Sequence, residues 1–329
     1  MANEMRAVVI DRFGGPEVLS VRNFPVPEVG PNQILIRVES AGLGIWDLAG
    51  LGGRIAERLG IKPEFPWILG SEGAGRVVAV GDKVSGFQID DLVYGASWAT
   101  NPKRGFFAGY AALDAVGASP IPSNLTTEQA GALMIDGMTA FLELDEVLGL
   151  KPGEKLMVFG ASGGIGHLAV QLATRMGARV FAIASGEDGV ALARRLGAEG
   201  VVEGHHGDIV ASAREFAPDG FDAALITAHS DAANHALTIV RDGGRATTPG
   251  GPGPALKIPP TVRLLPFNIP KAYERESIAK MNRLIEAGPF EVHLGSTFSL
   301  DHVVDAYRAL TSHYLGRLAL LPTRRSSGD

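Results

Sequence analysis

The run Phe159-Gly160-Ala161-Ser162-Gly163-Gly164-Ile165-Gly166 is the stretch of this sequence best suited to holding a charged ligand. It leaves a short apolar segment, Lys155–Phe159, and opens one whose apolar residues Ile165, Leu168, Ala169, Leu172, Ala173 and Met176 share one helical face. A diphosphate binds where the amides of a helix N-terminus point at it and no side chain intervenes. Gly163 allows that approach, Gly166 lets the helix pack closely on the strand, and Ala161 replaces the first glycine of the usual fingerprint. The setting assigns Ala161, Ser162, Gly163, Gly164, Ile165 and Gly166 to the phosphates of a dinucleotide. A glycine-rich turn without a ligand is the alternative.

The end of the following strand selects the dinucleotide. NAD sites commonly place Asp or Glu there, on the ribose 2′-hydroxyl. Here the chain reads Ala184-Ser185-Gly186, so NADPH is expected, with Ser185 and Gly186 at the 2′-phosphate and His205 as a further donor. Ser185 with Asp188 also reads as a capping box for the next helix. Glu187 and Asp188 count against a dianion beside them. Farther along, Thr227 and Ala228 are expected on the ribose side, and Gly250 and Gly251 bring backbone close to the nicotinamide.

Composition removes other chemistries. There is no cysteine, hence no disulfide, no thiolate catalysis and no Cys-containing zinc site. Thirty Lys and Arg stand against 36 acidic residues, a net charge of −6, and no basic cluster is present for nucleic acid. The first residues lack the apolar core of a signal peptide, and no apolar run reaches membrane-helix length. A cytoplasmic location without membrane partners is expected.

The elements that must position these residues change character along the chain. Its 329 residues exceed what one core usually serves, so two domains are expected. Early strands are Arg6–Ile10, Gln33–Val38, Ala74–Val80 and Leu92–Tyr94, closely spaced as in a barrel or folded sheet. Beyond Pro120-Ile121-Pro122-Ser123, strands Lys155–Phe159, Arg179–Ala184, Gly200–Val202, Phe221–Ile226 and Gly244–Thr247 alternate with helices Ile165–Met176, Gly189–Leu196 and Ala232–Val240. That alternation builds a parallel sheet from βαβ units. It stops near Pro266. Helices Ser277–Ala287 and Leu300–Leu310 and a strand Arg317–Leu321 follow, and the tail from Arg324 reads as loose.

Taken together, these residues resemble the medium-chain dehydrogenase/reductase superfamily, and within it the zinc-independent quinone oxidoreductase branch. The likeness rests on Met5-Arg6-Ala7, Gly14–Leu19, Ala41–Asp47, Gly70–Gly75, Leu150–Glu154, the phosphate loop and Gly316–Leu320, in that order. It implies an α/β fold: a Rossmann doubly wound parallel sheet, residues 125–266, inserted in a GroES-like β-barrel-type catalytic domain formed by 1–124 and 267–329. It also implies NADPH-driven hydride transfer to a quinone or α,β-unsaturated carbonyl, and a homodimer. An enoyl-thioester reductase and a non-catalytic NADPH-binding protein are the alternatives. Thr261–Leu265 is either an edge strand joining two subunits or a connector.

Departures from the family pattern bear on the mechanism. Zinc alcohol dehydrogenases carry Cys at the place of Gly44 and His at that of Ser71, and the segment 96–105 has none of the cysteines of their structural zinc lobe. No metal is expected. Quinone reductases often place Asn where Gly44 stands, near the nicotinamide, and Lys where Arg317 stands; these two positions join the cofactor set. Without zinc, charge on the acceptor oxygen must be met by hydrogen-bond donors. Candidates are Trp46 through its indole N–H, Ser71, and Thr139, which matches a family threonine near the nicotinamide. Their alternatives are an ordinary packed indole, a space-filling serine and a helix-bonded threonine. Asp47 and Glu72 are expected to pair within their domain, and no tyrosine is assigned as an acid.

Overall fold

The computed structural model describes residues 4–97, 105–267 and 274–323; the loose tail expected from Arg324 lies outside them. The chain divides into two compact units. The first gathers the described residues up to Ile135 and from Val292 onward; the second starts at Asp136 and takes in Glu276–Glu291.

The first unit is mainly antiparallel. Strands β1 (Glu4–Ile10), β2 (Ser20–Pro25) and β4 (Trp67–Ile68) form a three-stranded sheet with β1 central. The long β3 (Gln33–Leu43) pairs with β5 (Glu72–Val80), β7 (Tyr110–Asp114) and β16 (Arg317–Leu320). β6 (Leu92–Ala96), β8 (Ala118–Pro120) and β15 (Leu294–Phe298) complete this larger sheet. Nine of the eleven residues of β3 are buried, because neighbouring strands cover its edges and both faces carry apolar side chains. Their core includes Ile34, Ile36, Leu43, Phe106, Phe107 and Tyr307. Short helices α1 (Ile45–Leu51) and α2 (Arg54–Leu59) follow β3, and α3 (Thr127–Ala130) is closed by a capping box between Thr126 and Gln129.

The second unit is a six-stranded, all-parallel sheet: β9 (Lys155–Phe159), β10 (Arg179–Ala184), β11 (Gly200–Glu203), β12 (Phe221–Ile226), β13 (Val240–Thr247) and β14 (Arg263–Leu264). Their order, β11-β10-β9-β12-β13-β14, reverses direction at β9, the switch point where doubly wound sheets bind dinucleotides. Phe181, Phe216 and Phe221 pack at centroid distances of 5.4, 5.5 and 6.1 Å in the core on one face. The helices are α4 (Met134–Leu142), α5 (Gly164–Arg175), α6 (Gly186–Arg195), α7 (Ile209–Phe216), α8 (Asp231–Leu237) and α9 (Arg275–Glu286).

Several boundaries differ from the sequence reading. α8 ends at Leu237 because Val240 already pairs with Phe221. The helix expected over 300–310 starts as a 3-10 turn at Leu300–His302 before α10 (Val303–Ala309). The sequence divides the chain at 124 and 266, whereas α3 packs with the first unit and α9 with the second. Thr261–Leu265 contains β14, the edge strand. Among the described residues, no helix is long and apolar enough to cross a membrane.

Candidate active site

At the C-terminal end of β9 the backbone turns through Gly160, at φ +82°, into α5. A side chain on Gly160 would stand 2.3 Å from the Thr227 hydroxyl, and one on Gly166 would stand 2.1 Å from the Gly160 carbonyl oxygen. Both glycines are therefore demanded by the protein itself. Gly163 is different. Its φ of −84° suits any residue, and the nearest atom to an added Cβ is 3.5 Å away. Neither conformation nor packing requires its bare backbone, whereas a diphosphate resting on the helix mouth would. By the rule for helix ends, the first amides of α5, Gly164 and Ile165, have no acceptor within the helix. The residues present fit a dinucleotide diphosphate.

Several residues expected in this cradle make hydrogen bonds within the protein. The Ala161 amide donates to Ile183 O at 3.0 Å and so serves the sheet. Ser162 is buried, and its hydroxyl accepts from the Ser185 amide at 3.1 Å. Thr227 donates to the carbonyls of Phe159 and Gly160 at 2.8 and 3.2 Å, fixing the turn from below, while Ala228 beside it is exposed.

Ser185, Gly186 and His205 do come together, around a residue the sequence reading missed. Glu203, at the end of β11, pairs in register with Ala184, so a carboxylate stands beside the strand end that lacks one. It accepts from the amides of Gly186 (3.0 Å), His205 (2.9 Å) and His206 (2.6 Å). Partial burial pushes this carboxyl upward, but the three amides together hold it below the usual carboxylate range. The expected Ser185 cap is not made: the Ser185 hydroxyl bonds His205 Nε2 at 3.0 Å, and the side chain of Asp188 turns to the Gly189 amide. Parallel pairing of β10 with β11, a long-range feature, determines this cluster.

On the other side of the switch point, Thr248 is buried at the end of β13 and its hydroxyl meets His229 Nε2 at 2.8 Å. Gly250 and Gly251 follow at φ +77° and +86°, in a conformation that side-chain-bearing residues rarely adopt. Thr139 lies half-buried on α4. One turn on, Glu143 is fully buried, and burial pushes its carboxyl up to about 7 against a smaller opposing effect of the Thr247 hydroxyl.

The first unit holds its own cluster. Arg317, from β16, lies over the Trp46 ring at 4.5 Å, donates from Nε to Ala132 O at 3.1 Å and pairs with Glu72. Both charges are almost completely buried, and Glu72 also accepts from the Ile135 amide at 2.8 Å. Arg317 is thus engaged inside its unit. Asp47 accepts from the Gly44 amide at 2.8 Å, so that amide too is in use. Trp46 Nε1 is buried and has no partner among the described residues. A cavity of about 40 Å³, room for a water molecule or two, is lined by Trp46, Asp47, Trp67 and Ser71. Tyr307 is fully buried, and its phenol is pushed well above its usual range by burial and then by Asp47.

A zinc ion does not fit these residues. Gly44 and Ser71 supply neither thiolate nor imidazole, and a side chain at Gly44 would start 2.3 Å from the Trp46 ring and 2.7 Å from Arg317 Nη1. The place of a ligand is filled by an indole and a cation. Among the described residues, no group of three His, Cys, Asp or Glu could hold a metal.

Comparison with known proteins agrees with this architecture. Residues 30–123 match the alcohol dehydrogenase GroES-like domain and residues 164–270 the zinc-binding dehydrogenase family. The alcohol dehydrogenase of Geobacillus stearothermophilus is 31% identical over 280 residues, 78% of this chain and 80% of that protein. The quinone oxidoreductase of Homo sapiens is 28% identical, covering 96% of this chain and 98% of its own. A mycobacterial protein solved in complex with NADPH superposes with a TM-score of 0.83 at 25% identity, covering 97% of this chain and all of the other. The doubly wound sheet, its open phosphate cradle and these relatives agree: the chain belongs to the medium-chain dehydrogenase/reductase superfamily, in its quinone oxidoreductase-like branch, and is an NAD(P)H-dependent oxidoreductase.

Proposed function

We propose that this enzyme uses NADPH to reduce a quinone or an α,β-unsaturated carbonyl, with no zinc taking part. The observation that carries the reading is Gly163, left without a side chain where neither backbone nor packing asks for it. NADPH, when bound, supplies the hydride. Gly164 and Ile165 would hold its diphosphate through their amides, with Ser185 and His205 at the 2′-phosphate. The NADPH-bound relative supports this choice of cofactor. Glu203 opposes a dianion, yet its charge is already shared among three amides.

Reduction of either acceptor class leaves negative charge on an oxygen. In place of a Lewis acid the chain offers the Trp46 indole N–H, which has no partner among the described residues; a cavity lined by Trp46 also reaches Ser71. The product takes its proton from solvent. The reading includes a homodimer joined through β14, whose outer edge is unpaired among the described strands.

The test is equilibrium titration with NADPH and NADH, followed by turnover against a panel of quinones and enals, with elemental analysis of the purified enzyme. Tighter NADPH binding, catalytic oxidation of NADPH and less than stoichiometric zinc are expected. Tighter NADH binding would overturn the cofactor assignment, and an inert panel would overturn the acceptor class.

A further inference from the structure

The loop that follows β13 is built from two residue types. Residues 249–254 read Pro-Gly-Gly-Pro-Gly-Pro, so six successive positions carry no polar side chain and the prolines carry no amide hydrogen. Two tight turns shape it. The Gly251 amide donates to Thr248 O at 3.1 Å around Pro249 and Gly250, and the Leu256 amide donates to Gly253 O at 3.1 Å around Pro254. Proline followed by a glycine at φ +77° is the pattern of a type II turn. Both bonds are local. No side chain of the span can bond it to the sheet, so its place has to be set from its ends.

Two side chains beside β12 set it. His229, between β12 and α8, shares a hydrogen bond of 2.8 Å from Nε2 with the buried Thr248 hydroxyl, where the span begins. A Cβ on Gly253 would stand 3.1 Å from His229 Nδ1, so the second turn packs on the same imidazole. At the other end Asn234, on α8, donates from Nδ2 to Ala255 O at 3.1 Å and accepts from the Lys257 amide at 2.8 Å. The helix beneath these anchors is itself fixed. Ser230 caps it by accepting from the Ala233 amide at 3.3 Å, and Ala233, Ala236 and Leu237 are buried.

The sheet order says which part of a ligand this span meets. Loops beyond the C-terminal ends of the strands border the crevice in which doubly wound sheets bind dinucleotides. β10 and β11, on one side of the switch point, carry Ser185, His205 and Glu203; β12 and β13, on the other side, carry the span and its anchors. With the diphosphate at the mouth of α5 and the 2′-phosphate end on the β10 side, the nicotinamide half falls on the side of β12 and β13. We propose that His229 and Asn234 are positioning residues that hold the 249–254 span against the nicotinamide half of the bound dinucleotide. This rests on the dinucleotide reading above.

The experiment titrates the full-length wild type, His229→Ala and Asn234→Ala with NADPH and with 2′-phospho-ADP-ribose, which lacks only the nicotinamide ring; NADH and ADP-ribose make the same comparison where NADH is the tighter ligand. Each alanine variant should bind NADPH about threefold to tenfold more weakly and the fragment within about twofold of wild type, the size expected for a hydrogen bond or two. His229→Gln, whose side-chain amide can still bond the Thr248 hydroxyl, should restore NADPH binding. In a Thr248→Val background, His229→Ala should add little. An equal loss for cofactor and fragment overturns the proposal, because it marks a general structural role, and so does unchanged NADPH binding in either alanine variant. If the wild type binds neither dinucleotide nor either fragment, the cradle reading fails and the positioning role falls with it, an outcome distinct from the other two.

Discussion

Replacing Gly163 by alanine separates ligand binding from folding more cleanly than any other change in this chain. The backbone there is extended, and the added methyl comes no nearer than 3.5 Å to any neighbour. Gly→Ala at a compatible position stabilises by about 0.4–1 kcal/mol through the unfolded chain. Loss of a favourable N-cap residue offsets part of that. The net effect on stability should lie within about 0.5 kcal/mol of zero. On the ligand side, a methyl at the helix mouth keeps phosphate oxygens from the amides behind it. Hydrogen bonds to charged groups contribute about 1.5–3 kcal/mol each, so two lost bonds weaken dinucleotide binding by at least about 100-fold, at 1.4 kcal/mol per tenfold. Gly166→Ala is the contrast. Its methyl would meet backbone at 2.1 and 2.8 Å, and the helix would have to move off the strand at a cost of about 1–3 kcal/mol. Urea unfolding and NADPH titration of both variants decide the matter. A Gly163→Ala protein that binds normally, or one that unfolds as readily as Gly166→Ala, would refute the reasoning.

Three further outcomes are expected. Arg317→Met leaves Glu72 buried with its charge unanswered, which costs about 3–5 kcal/mol, and the Glu72→Gln/Arg317→Met double variant should recover much of this in urea unfolding. Glu143 has a folded value of about 7 against an ordinary 4.5, so the native state binds an extra proton between these values and stability falls as pH rises from about 4.5 to about 7. At about 1.4 kcal/mol per pH unit the loss approaches about 3 kcal/mol; Glu143→Gln should remove this part of the slope in unfolding midpoints measured across the window. Glu203→Gln keeps an acceptor for the loop amides while removing the charge near Ser185, so NADPH affinity should rise relative to NADH; an unchanged ratio in parallel titrations would refute this.

Much of the Rossmann unit could be read from local pattern. Lys155–Phe159, Arg179–Ala184 and Phe221–Ile226 coincide with the observed strands because each is a short apolar run bounded by turn residues. What escaped depends on neighbours distant in sequence. Glu203 is an unremarkable strand-end residue until β11 pairs with β10 and sets it beside Ala184. The ion pair of Arg317 with Glu72 could not be read locally, because it needs β16 to pair antiparallel with β3. Glu143 gives no signal because an acidic residue near a helix end is ordinarily solvated; tertiary burial alone makes it unusual. Ser185 shows the opposite failure. Its local capping pattern was sound, yet His205, twenty residues away, competes for the hydroxyl.

In the N-terminal cluster the space beside Gly44 is taken by Trp46 and Arg317. A cysteine in place of Gly44 would need the space now held by the edge of Trp46 and by Arg317. Conversely, Arg317 can lie over that indole only because residue 44 has no side chain, and its charge is tolerable there only because Glu72 answers it. Glu72 is in turn fixed by the Ile135 amide, at the start of the helix that carries Thr139. Restoring a thiolate at 44 and an imidazole at 71 would therefore not create a zinc site. The thiolate would displace the indole, strand the guanidinium and set a second negative charge near Glu72. Under the proposed function, the Trp46 N–H, which has no partner among the described residues, is the donor that a reduction without a metal would use.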